Sequence, residues 1–148
     1  KGNNNWALLI DPDGFITEGT GSNFFIIKNN TLISPEPRNI LRGISRAYII
    51  ELCAQIGIKY QEKNIEPFDV YNADEAFMSG TPFCMLPVTS LNSLPIGDAK
   101  PGPYTMKLLN AWGENVGVNI VKQIQDWSAE CVSEGNTSPS PYKFVDKR

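Results

Sequence analysis

Short apolar runs broken by glycine, asparagine and proline fill the first third of the chain, and only afterwards does a helical period take over. Trp6 to Ile10 is the first run. Asp11-Pro12-Asp13-Gly14 ends it, with proline presetting one turn angle and glycine accepting a positive one. Phe15-Ile16-Thr17 leads to Glu18, and after Gly19-Thr20-Gly21-Ser22-Asn23 the run Phe24 to Ile27 begins. Lys28-Asn29-Asn30 then turns the chain into Thr31-Leu32-Ile33, which predicts a hairpin with asparagine at its tip. The opening third therefore reads as antiparallel β.

Ser34-Pro35-Glu36-Pro37 interrupts it, because two prolines fix angles and remove donors. Ile49, Ile50, Leu52, Cys53 and Ile56 next recur at helical spacing. Ser45 as N-cap and Gly57 as the closing residue bound a helix of about three turns. Ile58 to Ile65 reads as an exposed strand, and Glu66 to Tyr71 as one helical turn with proline at its start. Ala76 to Ser79 is a compact strand ending at Gly80-Thr81, and Met85 to Ile96 a hairpin turning at Asn92-Ser93. A last helix runs from Tyr104 past Leu108, Leu109 and Trp112, weakened by Gly113 and Gly117 and resumed over Val118 to Trp127. From Ser128 the composition turns polar and rich in helix breakers, so 128–148 is expected to be a mobile polar tail behind a domain at 1–127.

At 148 residues the chain is long enough for one core. A net charge of −3, from 13 basic and 16 acidic residues without a basic cluster, argues against an electrostatic grip on nucleic acid or an anionic membrane. No apolar run approaches a bilayer span and no secretory leader is visible, so a cytoplasmic protein is expected. The first residue is Lys1, not Met, which suggests a piece of a longer protein. Histidine is absent, which excludes serine or cysteine catalysis by a histidine base. Cys53, Cys84 and Cys131 have no paired spacing, and a metal site is not expected.

Two stretches carry candidate chemistry. Glu18 stands between a strand and a glycine-spaced bend, where Gly19 and Gly21 permit close ligand approach. The plain alternative is a hairpin whose acid is merely solvated. Gly43-Ile44-Ser45-Arg46 opens the first helix, and free amides there would favour an anion or simply be capped. Asp74 and Glu75 are not a convergent acid/base pair, since neighbours on a strand face opposite ways.

Taken in order with Ala73 to Thr81, and with Gly97-Asp98 and Gly102-Pro103, these motifs resemble the C-terminal domain of the class IV pyridoxal-phosphate aminotransferases. Branched-chain and D-amino acid aminotransferases and aminodeoxychorismate lyase share that pattern, and the resemblance runs from about Ala7 to about Trp112. It implies an α+β fold, a strand-rich pseudobarrel flanked by helices. It also implies pyridoxal 5′-phosphate as cofactor, with Glu18 paired to the ring nitrogen and the phosphate held at Gly43, Ile44, Ser45 and Thr81. The family commonly has a small residue after that threonine, whose amide meets the substrate carboxylate. Here Pro82 has no N–H, so substrate recognition is expected to differ.

The resemblance further implies a lysine a few dozen residues before the glutamate. Only Lys1 precedes Glu18, so no catalytic residue is assigned within the chain. Three readings follow. The first is the C-terminal part of an aminotransferase acting on an amino acid, with branched-chain amino acids as the family example, and a 2-oxo acid, working as a homodimer. The second is a lyase on the same scaffold. The third is a truncated, non-catalytic domain.

Overall fold

Asn29 and Asn30 both adopt positive φ (49° and 60°), the geometry a tight two-residue hairpin demands, and asparagine tolerates it better than most residues. They join β3 (Ser22–Lys28) to β4 (Thr31–Pro35) in the computed structural model, which describes residues 5–133. Before them lie β1 (Leu8–Ile10) and β2 (Ile16–Gly19), antiparallel as expected. Thr20-Gly21 forms the β2–β3 turn and sets Glu18 directly opposite Asn23.

β4 does not continue as a meander. Helix α1 (Ile44–Ile56) crosses over and returns the chain as β5 (Lys59–Lys63), parallel to β4. Parallel pairing was not anticipated, although a strand–helix–strand connection of this length is its usual source. After the single turn α2 (Pro67–Tyr71), β6 (Glu75–Gly80) pairs along β3, and β7 (Cys84–Val88) pairs with β6. β3 therefore has β6 along one edge, while β2 and β4 share the other, β2 at its start and β4 at its end. Of the hairpin expected over Met85 to Ile96, only β8 (Ser90–Leu91) and β9 (Leu94–Pro95) pair with each other, with positive φ at Asn92 and Ser93, because Met85 to Val88 belongs to β7 and pairs with β6.

The uninterrupted run Phe24 to Ile27 is explained by burial on both faces of the sheet. Phe25 and Ile27 pack with Leu32, Ile49, Leu52, Phe77 and Leu108 beneath the helices. Phe24 and Ile26 join Ile16, Ile33, Ile65, Val70 and Met78 on the other side. Phe25 and Phe77 stack at 4.9 Å and 17° across the β3–β6 pair.

Helix α3 (Pro103–Val116) packs against α1, β6 and β7, and α4 (Ile120–Ser133) packs against α3. The expected weakening at Gly113 is a packing requirement instead: a Cβ there would stand 2.5 Å from the Val118 carbonyl oxygen. Gly117 ends α3 in the left-handed region, so two helices replace one interrupted helix. α4 continues past the 127/128 boundary through Ser133, and the rest of the expected tail lies outside the described residues. Among the described residues, no helix is long and apolar enough to cross a membrane.

Candidate functional site

The tight β2–β3 turn places two polar side chains in one row. Asn23 Nδ2 donates to Glu18 Oε2 at 3.1 Å and to the Leu41 carbonyl oxygen at 2.7 Å. Both neighbours are acceptors, which fixes the amide nitrogen on that side. The Leu41 backbone N–H donates to the same Glu18 oxygen at 3.0 Å. Glu18 is half-buried and Asn23 only 6% exposed, so the carboxylate has one held oxygen and an opening to solvent.

Leu41 leads two residues later into α1. The Gly43 N–H donates to the Leu41 carbonyl oxygen at 3.0 Å, and Gly43 is the N-cap, with φ −64° and ψ 148°. Ser45 is thus not the cap expected from the sequence; it is the second helical residue, because the backbone becomes helical at Ile44. No side chain caps this end. A Cβ on Gly43 would come within 2.5 Å of Asn23 Oδ1, so glycine is what lets the helix end reach the acid's partner.

Arg46 anchors the same turn from below. It is buried and donates to Ser34 Oγ at 3.3 Å, Tyr60 Oη at 2.9 Å and Glu62 Oε1 at 2.5 Å. Burial pushes the Tyr60 hydroxyl up to about 12. Burial also raises Glu62, but the hydrogen bonds from Arg46 and Tyr60 outweigh it and leave the carboxyl below its usual range.

On the other edge of β3, Ser79 pairs with Asn23. Its hydroxyl is buried and has no hydrogen-bond partner among the described residues. Two residues on, Thr81 is exposed in the turn Gly80-Thr81-Pro82-Phe83, closed by the Phe83 N–H to the Gly80 carbonyl at 3.2 Å. The structure therefore joins Glu18 and Gly43 through Asn23, and carries Ile44 and Ser45 on the adjoining helical turn. Thr81 lies on the neighbouring strand end, and the described hydrogen bonds include none from it to α1.

This donor set suits an anionic ligand that also carries a basic nitrogen. The first amides of α1 have no acceptor earlier in the helix and point toward negative charge, while Glu18 offers a carboxylate.

Residues 1–91 match the model of the family described as amino-transferase class IV. The chain belongs to that family. It is 42% identical over 106 residues to the branched-chain-amino-acid aminotransferase of Pseudomonas aeruginosa, covering 72% of this chain and 34% of that protein. It is 39% identical over 119 residues to the D-alanine aminotransferase of Bacillus licheniformis, covering 80% and 42%. Among solved structures, the branched-chain amino acid aminotransferase of Thermobaculum terrenum in its PLP form superposes with a TM-score of 0.72 at 34% identity, over 75% of this chain and 37% of that one. The chain spans about a third to two fifths of the length of these relatives.

The class IV motifs contain Asn23 and Arg46 but give a role only to Glu18, Gly43, Ile44, Ser45 and Thr81. A signal for Asn23 was present, because a two-residue turn at Thr20-Gly21 requires residues 18 and 23 to face each other. Nothing local announced the partners of Arg46, which come from β4 and β5.

Proposed function

We propose that this chain forms the cofactor-holding part of an enzyme that uses pyridoxal 5′-phosphate to move an amino group between an amino acid and a 2-oxo acid. The observation that carries this reading is the junction of Glu18 with the start of α1 through Asn23. An acid on β2 and the uncapped start of α1 are brought together by one side chain, which suits a ligand with a basic ring nitrogen and a phosphate.

When bound, the cofactor supplies an electron sink for the substrate's α-carbon. Glu18 would hold the proton on the ring nitrogen through the oxygen that is free of Leu41 and Asn23, or through both. The Ile44 and Ser45 amides would take phosphate oxygens, and the Thr81 hydroxyl and amide would approach from the strand end. Pro82 has no N–H to give a substrate carboxylate. Lys28, Lys63, Lys100 and Lys122 are engaged with Asp74, Asp69, Asp98 and Asp126, so none of these four is proposed as the base.

The relative at 42% identity supports a branched-chain amino acid as the substrate. A homodimer is part of the proposal, supported by Leu41 and Ile44, apolar residues that stand 74% and 88% exposed at the lip of the site. A cytoplasmic setting is consistent with free thiols at Cys53 and Cys84.

The test is a titration of the chain with pyridoxamine 5′-phosphate, which needs no lysine to bind. Saturable binding that Glu18→Ala weakens about tenfold is expected, the size of a lost hydrogen bond to a charged group. Equal affinities in parent and variant would remove Glu18 from the site. In an enzyme that also carries the remaining two thirds found in the relatives, the same substitution should slow both half-reactions.

A further inference from the structure

We propose that Asn23 is a positioning residue that holds the acid and the phosphate cradle as one unit. This rests on the assignment of Glu18 and α1 to the cofactor, and it adds a residue that the assignment does not contain.

In the loop between β4 and α1, Arg38 and Asn39 reach Asp11, while the end next to the helix is held at Leu41. Residues 36–43 contain no strand or helix, yet Leu41 and Gly43 must be fixed for the first amides of α1 to aim consistently. Asn23 touches both of them and shares Leu41 with Glu18. One amide nitrogen bridges the Glu18 carboxylate and the Leu41 carbonyl, at 3.1 and 2.7 Å. The amide oxygen of the same group lies against Gly43, where a Cβ would come within 2.5 Å. Leu41 closes the ring by donating its own N–H back to Glu18 at 3.0 Å.

Asn23 is itself well placed for such a task. It sits in β3 with β2 on one side and β6 on the other, paired to Glu18 and Ser79, and is 6% exposed. A short side chain on a doubly paired strand has little freedom, so the loop inherits the rigidity of the sheet. Aspartate would fill the same space but would set a carboxylate against Glu18 and a carbonyl oxygen, with no donor for either. Leucine would fit neither partner.

A double-mutant cycle separates this role from ordinary stability. Pyridoxamine 5′-phosphate affinity is measured for the parent chain, Asn23→Ala, Glu18→Ala and the double variant, with thermal midpoints for each. Asn23→Ala is expected to weaken binding about tenfold in the parent background and no more than about twofold when Glu18 is already gone. Asn23→Asp, which preserves volume, should weaken it at least as much and serves if the alanine variant folds poorly. Hydrogen exchange at the Leu41 amide gives a readout without ligand: it should quicken in both Asn23 variants.

If Glu18→Ala binds as the parent does, the acid assignment fails and the proposal falls with it. If Glu18→Ala is weakened while Asn23→Ala is not, or if Asn23→Ala costs the same factor with and without Glu18, the acid stands and the role of Asn23 alone is overturned. Unchanged exchange at Leu41 in the Asn23 variants also overturns it, whatever the ligand does.

Discussion

The Glu75 carboxylate and the Thr105 hydroxyl meet at 2.7 Å, joining β6 to the start of α3. Glu75 also accepts the backbone N–H groups of Tyr104 and Thr105, both at 2.8 Å, so it caps a helix from a strand remote in sequence. Gly102 makes room for it, since a Cβ there would overlap the carboxylate carbon at 2.1 Å. Asp74, its neighbour, points elsewhere and binds Lys28 and the Asn29 N–H. The two acids do not converge, as strand geometry had indicated.

Replacing Glu75 by alanine is therefore expected to cost about 2–4 kcal/mol, because two buried donors and one half-buried donor lose their acceptor and the helix loses a favourable charge. Asp74→Ala, whose partner Lys28 is exposed, should cost under about 1 kcal/mol. Urea unfolding of the two variants checks the contrast, and similar losses would show that Glu75 is not the cap described.

Gly43→Ala inserts a methyl group where Asn23 Oδ1 stands 2.5 Å away. The expected result is a loss of about 1–2 kcal/mol in stability, the usual scale for overpacking. Pyridoxamine 5′-phosphate affinity should fall with it, because either Asn23 or the helix end must move. A thermal melt and a titration of one variant measure both effects.

Glu62 gives the chain a pH dependence. Burial raises its carboxyl, the Arg46 and Tyr60 hydrogen bonds lower it further than that, and the net position is below 4.5. A lowered folded-state value contributes stability that is full above the unfolded value and fades as pH falls through the folded one. The parent should thus lose stability on acidification below about pH 4.5, and Glu62→Gln should lose less over the same window. Denaturation midpoints at pH 7, 5 and 3.5 test the sign.

Cys84 has φ 57°, a left-handed conformation without the freedom of glycine, at the residue that follows the Gly80–Phe83 turn. Desolvation raises its thiol, and no charged group appears among the causes of the shift, which suits a packing role. Cys84→Gly should stabilise the chain by about 0.5–1 kcal/mol, the relief of left-handed strain less the lost packing and the added freedom of the unfolded chain. A fall in the unfolding midpoint would show that the side chain's contacts outweigh the strain.

Much of this architecture is written locally. The pairs Asn29-Asn30 and Asn92-Ser93 mark tight turns, all four residues adopting positive φ, and the hairpins follow. Glu66-Pro67 starts a helical turn for equally local reasons, with Glu66 and Asp69 completing a capping box. Glu18 and the Gly43 helix start could be singled out because their motif spacing survives in the chain's order. Ser45 could not be placed correctly by residue type, since a serine near a helix start suits the cap or the first turn equally, and only the backbone at Gly43 decides.

What the sequence alone determined is thus the set of turns, helices and candidate groups that depend on residues within a few positions of one another. The tertiary structure decided which of them meet: β5 parallel to β4, β6 beside β3, Glu75 on α3, and Asn23 between Glu18 and Gly43. Those pairings are set by which apolar faces can be buried together, a property of the whole packed chain that no window of sequence contains.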